Sequence, residues 1–325
     1  KELYDFDLTV LDEAFGISCC KILKDYTNTG SNSKMFNSRI RDRICDLSQT
    51  LAAAETTEEF MKDMVQFYKD FGVGKLGLHK AFRVGHDEND NVEIQPITRI
   101  AHVKLEDLVG YEIPKQKLIE NTEAFVRGRK ANNCLLFGDA GTGKSSSIKG
   151  ILNRYYDEGL RIIEVYKHQF QDLNDVIAQI KNRNYKFIIY MDDLSFEEFE
   201  IEYKYLKAVI EGGLEKKPDN ILIYATSNRR HLVREKSGDK LEVADDEDLH
   251  SSDTVQEKLS LVYRFGVRIY FGAPNKKEFQ NIVTTLAERY GVTMPAEELL
   301  MKANAWELSH GGLTGRTAQQ FIDHV

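Results

Sequence analysis

The chain has 325 residues, 42% of them hydrophobic and 30% charged, which is enough apolar material for about two or three compact domains with hydrophobic cores. Its longest apolar runs, residues 187–191 and 221–225, are far shorter than the roughly 20 residues of a membrane-spanning helix, so no membrane span is expected. A net charge of -8 argues against a dedicated nucleic-acid binder, although one basic face can lie within an acidic total.

The four cysteines, Cys19, Cys20, Cys45 and Cys134, show neither metal-ligand spacing nor a disulfide framework. This usage predicts a reducing, cytoplasmic location. The adjacent pair at positions 19 and 20 is interpreted as ordinary helix packing, because a free cysteine behaves as a small buried hydrophobe.

Residues 1–72 are predicted to form an N-terminal helical domain. Apolar residues recur every three or four positions from Leu8 to Phe15 and again from Ile40 to Leu51, which is the helical period. A further helix is expected to begin at residue 56, because T-x-x-E is the sequence of a capping box. Residues 73–104 then contain two short strand-like runs around a polar turn, and we predict a hairpin that links this domain to the next.

Residues 105–273 alternate between strand and helix patterns, which predicts an α/β domain with a parallel sheet and flanking helices. A mobile, charged insertion is expected at 234–253. Residues 274–325 contain only helical patterns and are predicted to form a C-terminal helical lid. The candidate strands are 134–137, 161–165, 186–191, 220–226 and 267–271, and the lid helices are 276–289, 296–309 and 315–325.

The segment NCLLFGDAGTGKSSS, residues 133–147, places a glycine-rich turn between a strand and a helix. It contains G-x-x-x-x-G-K-S, in which glycines let backbone N–H groups surround phosphate oxygens at a helix N-terminus. Lys144 is expected to reach the β and γ phosphates, and Ser145 to ligand Mg²⁺. The pattern therefore predicts a site for ATP or ADP with Mg²⁺. The predicted nucleotide-binding residues of this loop are Gly138, Asp139, Ala140, Gly141, Thr142, Gly143, Lys144, Ser145 and Ser146.

A buried strand at 187–191 ends in two carboxylates, Asp192 and Asp193. We predict that Asp192 joins Ser145 at the Mg²⁺, which prefers hard oxygen ligands. The second position commonly carries a Glu that polarises the attacking water, and Asp193 is one methylene shorter. Three alternatives stay open: Asp193 reaches the water through a shifted backbone, Glu197 or Glu198 takes the role, or hydrolysis is slow.

Three further residues complete the predicted catalytic set with Lys144 and Asp193. Asn228 follows a strand and is placed to hydrogen-bond the γ-phosphate and the water; a strand-end cap is the alternative. Arg264 closes an amphipathic helix and is predicted to enter a neighbouring subunit's site as a finger, with a helix-end salt bridge as the alternative. Arg316 opens the last helix, where its guanidinium would close over the γ-phosphate.

These motifs, in this order, resemble those of the AAA+ ATPases over residues 105–325. The resemblance implies a Walker A motif at 138–145, a Walker B motif at 187–193, and sensor 1, arginine-finger and sensor 2 roles for Asn228, Arg264 and Arg316. It also implies an adenine pocket at Val109, Gly110 and Tyr111. More narrowly, GVGKLGLHKAFR, LEDLVGYE and YATSNRRHL are similar to an uncharacterised bacterial AAA+ ATP-binding family labelled domain of unknown function 815, which extends the resemblance back to residue 72.

The leading functional prediction is an oligomeric Mg²⁺-ATP hydrolase that remodels or regulates an unknown partner protein. A slow or non-hydrolysing ATP-gated switch is the alternative that the shorter acid at 193 supports. A P-loop kinase for a small molecule is disfavoured, because Asn228, Arg264 and Arg316 have no reason to occur together there. Polypeptide threading is also disfavoured, because YKHQF at 166–170 lacks the glycine of a threading pore loop, although Phe170 keeps an aromatic residue there.

Overall fold

The computed structural model describes residues 38–71, 74–194, 202–211, 218–228 and 260–325, and the chain divides into two compact units, Lys1–His79 and Lys80–Val325. The predicted helix at Leu8 to Phe15, the cysteines at 19 and 20, the acids at 197 and 198 and the charged insertion lie outside the described residues.

The first unit contains helices α1 (Ser38–Ala52), α2 (Thr57–Phe71) and a short α3 (Lys75–Leu78). Helices α1 and α2 pack against each other. The hydroxyl of Thr56 accepts a hydrogen bond from the N–H of Glu59 at 3.2 Å, as the T-x-x-E pattern predicts for the start of α2.

The second unit is built on a sheet. Its strands are β1 (Ala81–His86), β2 (Val92–Ile97), β3 (Cys134–Gly138), β4 (Leu160–Glu164), β5 (Lys186–Met191), β6 (Ile221–Ser227) and β7 (Val267–Phe271). The seven strands follow the order β2-β1-β4-β5-β6-β3-β7, and every neighbouring pair is parallel except the hairpin of β1 and β2. The predicted α/β fold class is confirmed.

The hairpin that the sequence predicts as a linker lies within this sheet. Strand β1 runs parallel to β4, with Phe82 opposite Ile163. Phe82 and Val84 are buried. Joining the edge of the sheet removes these apolar side chains from water, which stabilises the hairpin there. The outer strand β2 contains Pro96, a residue that strands tolerate where its missing N–H faces away from the neighbouring strand.

Helices cover both faces of the sheet. The helices of this unit are α4 (Glu112–Val126), α5 (Lys144–Tyr155), α6 (Leu173–Ile180), α7 (Glu202–Glu211), α8 (Lys276–Tyr290), α9 (Ala296–Ser309) and α10 (Gly315–His324), with 3-10 helices at Leu105–Asp107 and Lys167–Asp172. One core contains Leu118 of α4, Ile151 of α5 and Ile188 of β5. Phe187 and Ile189 are equally buried and point to the opposite face, because side chains alternate along a strand.

The last three helices lie where the sequence predicts a lid, and they pack around a core of their own, which includes Phe279, Val283 and Phe321. Asn275 caps α8, and its side chain accepts hydrogen bonds from the N–H groups of Lys277 and Glu278. The residues 272–274 connect this lid to β7. Within the described ranges, no helix combines the length and the apolar character that crossing a membrane requires.

Candidate nucleotide-binding site

The glycine-rich loop connects β3 to α5 as the sequence predicts. Gly138 has a φ of 131°, and a Cβ there would overlap the carbonyl oxygen of Phe271, so no other residue fits. Gly143 has a φ of 92° and is the N-cap of α5. Helix α5 therefore begins at the end of the loop, where its first-turn N–H groups and dipole favour an anion.

Lys144 folds back over this loop. Its Nζ donates hydrogen bonds to the carbonyl oxygens of Gly138 at 3.2 Å and Asp139 at 2.5 Å. Burial is the largest influence on Lys144 and lowers its pKa, while the carboxylates of Asp139 and Asp193 partly oppose that shift and the charge of Arg316 adds to it. The ammonium group is therefore held between the loop, the acid pair and the lid.

Asp192 is held by three hydroxyl groups, which all donate to its Oδ1: Ser145 at 2.9 Å, Tyr190 at 2.7 Å and Thr226 at 2.5 Å. Burial raises the pKa of Asp192, but these hydrogen bonds outweigh burial, and the pKa lies below its usual value. The carboxylate is thus ionised at neutral pH, with Ser145 beside it. This is the pair that the sequence predicts as magnesium ligands.

Sequence reasoning missed Thr226 and Tyr190. Thr226 reaches Asp192 because β5 and β6 run parallel with Met191 opposite Ala225, so the next residues on each strand are neighbours. Tyr190 lies two residues before Asp192, and alternation along the strand places both on one face. The contact of Tyr190 with Asp192 could therefore be inferred from their spacing in the sequence. The contact of Thr226 with Asp192 could be inferred only from the register of β5 and β6.

Asp193 and Asn228 form a second pair at the same edge of the sheet. The backbone of Asp193 is left-handed, with a φ of 50°, and its N–H donates to the hydroxyl of Thr226 at 3.0 Å. The Nδ2 of Asn228 donates to Oδ1 of Asp193 at 2.9 Å. Asn228 therefore orients the carboxylate of Asp193 rather than only capping its own strand.

A cavity of about 560 Å³ lies between these residues and the lid, within the range of about 300–1,000 Å³ typical of small-molecule sites. The N–H of Arg316 donates to the carbonyl oxygen of Gly141 at 3.1 Å, so the start of α10 rests on the loop. The lining consists of Asp107, Leu108, Val109, Tyr111, Gly141, Thr142, Gly143, Lys144, Ser145, Ser146, Asp192, Asp193, Asn228, Ile282, Leu286, Gly315, Arg316, Gln319 and Gln320.

The segment before α4 forms one wall of the cavity. Tyr111 stacks on Phe271 with ring centroids 5.4 Å apart, and its hydroxyl donates to the carbonyl oxygen of Gly272 at 3.0 Å. Burial raises the pKa of Tyr111 to about 12. Apolar residues missed by the sequence reasoning, Ile282 and Leu286 of the lid, also line the cavity. The sequence predicts the lid helices that contain them, but not which of their residues face the loop.

Some predicted site residues lie away from the cavity lining. Gly138, Asp139 and Ala140 shape the loop without lining the cavity, and Gly110 lines a neighbouring cavity of about 500 Å³. Arg264 is exposed and precedes β7, whose first residue pairs with Cys134, whereas Gly138 pairs with the last residue of β7. Arg264 is therefore at the opposite end of the strand from its own loop, roughly 13 Å away along β7.

The described oxygen ligands fit a magnesium ion that also binds phosphate. Ser145 and Asp192 provide a hydroxyl and a carboxylate, and Mg²⁺ is commonly held by one or two carboxylates together with substrate phosphates and water. Among the described residues there is no group of three or more His, Cys, Asp or Glu that would hold a metal ion alone. The donor set therefore suits a metal that arrives with a nucleotide.

The segment at 166–170 leads into the short 3-10 helix Lys167–Asp172. Phe170 is 2% exposed, and the Nε2 of Gln169 donates to the carbonyl oxygen of Val84 at 3.0 Å. Phe170, the aromatic residue at the position of a threading pore loop, is thus part of the core. Tyr166, in contrast, is exposed.

The order β4-β5-β6-β3-β7, with the glycine-rich loop after β3, the acid pair after β5 and the helical lid, defines a P-loop NTPase fold of the AAA+ class. The chain belongs to the family described as Protein of unknown function (DUF815), whose model matches residues 78–325. Among curated proteins, none matches the sequence significantly.

Solved structures similar to this chain include two point mutants of RuvB from Thermotoga maritima. Each is 18% identical over 68% of this chain, with a TM-score of 0.46, and the chain covers 64% of one and 63% of the other. A third, the RuvB Holliday junction branch migration motor of the same organism, is 14% identical, with a TM-score of 0.40 and coverage of 68% of this chain and 71% of that chain. The chain thus spans just under two thirds of the first two structures.

Proposed function

We propose that this protein is an Mg²⁺-dependent ATPase of the AAA+ class, which works as a homo-oligomer and remodels or regulates a partner protein. The observation that carries the proposal is the convergence of Lys144, the Ser145–Asp192 pair and the Asn228–Asp193 pair on one cavity beneath Arg316. The two described cysteines, Cys45 and Cys134, are both free, which supports the predicted cytoplasmic location.

In the proposed mechanism the loop N–H groups and Lys144 bind the phosphates of ATP. Lys144 exchanges the carbonyl oxygens of Gly138 and Asp139 for phosphate oxygens. Ser145 and Asp192 would hold the Mg²⁺, which neutralises charge on the phosphate oxygens. The side chains of Tyr190 and Thr226 keep Asp192 ionised and in place.

Asp193 is the proposed base that orients the attacking water. Its left-handed backbone is the shift by which a shorter acid could reach that water, and Asn228 fixes the carboxylate. Arg316 would contact the γ-phosphate from the lid. Arg264 would complete the site of a neighbouring subunit, because it lies at the wrong end of β7 to serve its own.

A switch with slow hydrolysis is the second candidate, and the hydrogen bond from Asn228 to Asp193 supports it. The amide of Asn228 occupies Oδ1 of Asp193, which leaves that oxygen less available to a water molecule. In such a switch the ATP-bound state controls a partner and turnover only resets it.

The test of hydrolysis measures phosphate release and, separately, nucleotide binding. Lys144→Gln removes a positive charge aimed at the phosphates, and Asp192→Asn removes the charged ligand proposed for Mg²⁺, so each should lower turnover by about 10²-fold or more. Lys149→Gln is the matched control, because Lys149 is an exposed lysine on the same helix. Wild-type protein that releases no phosphate above the two variants would contradict the ATPase proposal.

The Asp193→Glu variant separates the two candidates. A large gain in turnover would identify a damped switch, and a loss would identify Asp193 as a working base. Affinity capture with Asp193→Asn and ATP should then hold a partner protein that wild type releases; equal capture by both would count against a partner controlled by ATP.

A further inference from the structure

The connection between the sheet and the lid is short and conformationally restricted. It consists of Gly272, Ala273 and Pro274, between β7 and the cap of α8. Pro274 fixes its own φ and disfavours helical geometry at Ala273. A change in the angle of the lid would therefore need rotation about very few backbone torsions near Gly272. We call residues 272–274 the hinge.

Two side chains hydrogen-bond to this hinge, Tyr111 from the cavity lining and Asp139 from the glycine-rich loop. The carboxylate Oδ2 of Asp139 accepts the N–H of Ala273 at 2.8 Å. The hydroxyl of Tyr111 donates to the carbonyl oxygen of Gly272 at 3.0 Å. The carbonyl oxygen of Gly272 and the N–H of Ala273 are thus both hydrogen-bonded, one to a residue of the cavity lining and one to the loop that carries Lys144.

Each of the two residues that hydrogen-bond to the hinge also contacts, or is itself, a group expected to contact the nucleotide. The carbonyl oxygen of Asp139 accepts a hydrogen bond from Lys144, and the N–H of Asp139 donates to Phe271 at 3.0 Å. Tyr111 lines the cavity and stacks on the same Phe271. Because burial raises the pKa of Tyr111 to about 12, its hydroxyl stays protonated and remains a donor at neutral pH.

We propose that Asp139 and Tyr111 form a clasp on the hinge that transmits occupancy of the cavity to the angle of the lid. The proposal rests on the proposed function for the identity of the ligand, ATP. When Lys144 turns to a phosphate it leaves the Asp139 carbonyl, and a base placed against Tyr111 moves the hydroxyl that holds Gly272. Both residues are positioning residues, since neither touches the reacting atoms.

Hydrogen exchange of the peptide 271–275 in nucleotide-free protein tests the clasp. Asp139→Ala should speed exchange at Ala273 by about five- to tenfold, because an amide that loses one hydrogen bond opens more often. Asp139→Asn keeps an acceptor oxygen and should restore slow exchange. The N–H of Asn275, bonded to Glu278 at 2.8 Å, is an internal reference, and Pro274 has no N–H.

Tyr111→Phe removes the hydrogen bond to Gly272 alone, since the ring that stacks on Phe271 is retained. It should raise exchange at Gly272 and Ala273, while Tyr290→Phe, an exposed tyrosine of α8, should not. Unchanged exchange in the lid-core peptide around Val283 shows that the variants are folded. Equal exchange at Ala273 in wild type, Asp139→Ala and Tyr111→Phe would overturn the clasp.

Addition of ATP tests the transmission. At saturating ATP, hinge exchange should change in wild type, and in Asp139→Ala and Tyr111→Phe that change should be lost, with kcat falling about tenfold. If ATP binds but hinge exchange responds equally in wild type and variants, transmission is refuted. If ATP does not bind wild type, the proposed function and the transmission both fail, while the nucleotide-free measurement still decides whether the clasp exists.

Discussion

Replacement of Thr226 by valine isolates the hydrogen bonding around Asp192. Threonine and valine have nearly the same shape, and Thr226 is 2% exposed, so the change removes a hydroxyl without opening a cavity. That hydroxyl donates to Oδ1 of Asp192 and accepts the N–H of Asp193. Thr226→Val thus removes a hydrogen bond to a charged group and leaves one backbone donor without its partner.

The expected cost follows from the charge of the acceptor. A hydrogen bond to a charged group contributes about 1.5–3 kcal/mol, and one between neutral groups about 0.5–1.5 kcal/mol. Because the Asp192 side chain opens to the cavity, we take about 2 kcal/mol as the loss in free energy of unfolding. Thr122→Val is the control: Thr122 is 0% exposed, and its hydroxyl hydrogen-bonds two neutral groups, the carbonyl oxygen of Leu118 at 2.8 Å and the hydroxyl of Tyr224 at 2.9 Å. Its cost should be about 1–3 kcal/mol.

The pH dependence distinguishes the two threonines. The folded pKa of Asp192 is lowered, so the stability that it contributes is fully present above the unfolded pKa of about 3.9 and is lost as pH falls through the folded value. Thr226→Val raises the folded pKa toward its ordinary value. The stability difference from wild type should therefore be largest at neutral pH and shrink below about pH 4, whereas the difference for Thr122→Val should stay constant.

Urea unfolding at a series of pH values, from neutral pH to below the unfolded pKa of about 3.9, provides the measurement. A loss for Thr226→Val that stays constant over this pH range, as expected for Thr122→Val, would refute the conclusion that the Thr226 hydroxyl stabilises the ionised form of Asp192.

Two further substitutions test the loop and the oligomer. Gly138→Ala should destabilise the protein by about 3 kcal/mol or more and abolish ATP binding, whereas Gly128→Ala, which has a φ of 72° with open space around it, should cost only about 1–2 kcal/mol in thermal unfolding; equal costs would show that contact with Phe271 does not matter. Arg264→Glu should retain ATP binding but lose about 10³-fold in turnover, and mixing it with Lys144→Gln subunits should restore part of the activity; loss of binding in Arg264→Glu alone would remove the assignment in trans.

Local patterns predicted most of the fold. The residues of the glycine-rich loop are contiguous, so the motif is visible in the sequence alone. Apolar runs with turn residues between them predict the strands from Cys134 to Phe271. The lid helices begin and end close to the predicted residues because Asn275 caps one and Gly291, with a φ of 69°, ends it. Each of these signals involves residues that are close in the chain.

Features that depend on distant pairing could not be predicted. The hairpin gave no sequence signal for joining β4, because parallel pairing between Phe82 and Ile163 connects residues 81 positions apart. The contact of Thr226 with Asp192 could likewise not be predicted, because it depends on the register of β5 and β6. The roles of the predicted site residues stay predictions, and the acids at 197 and 198 lie outside the described part of the chain.

The proline of the outer hairpin strand determines where this sheet can accept more strands. A strand that adds to an edge needs a regular row of N–H donors, and Pro96 removes one of them from the outer edge of β2. Strand-by-strand growth is therefore discouraged on that side, which protects the protein against edge-to-edge aggregation. Replacing Pro96 by a β-branched residue would repair that row of donors and should make the chain more prone to aggregate without any change at its cavity.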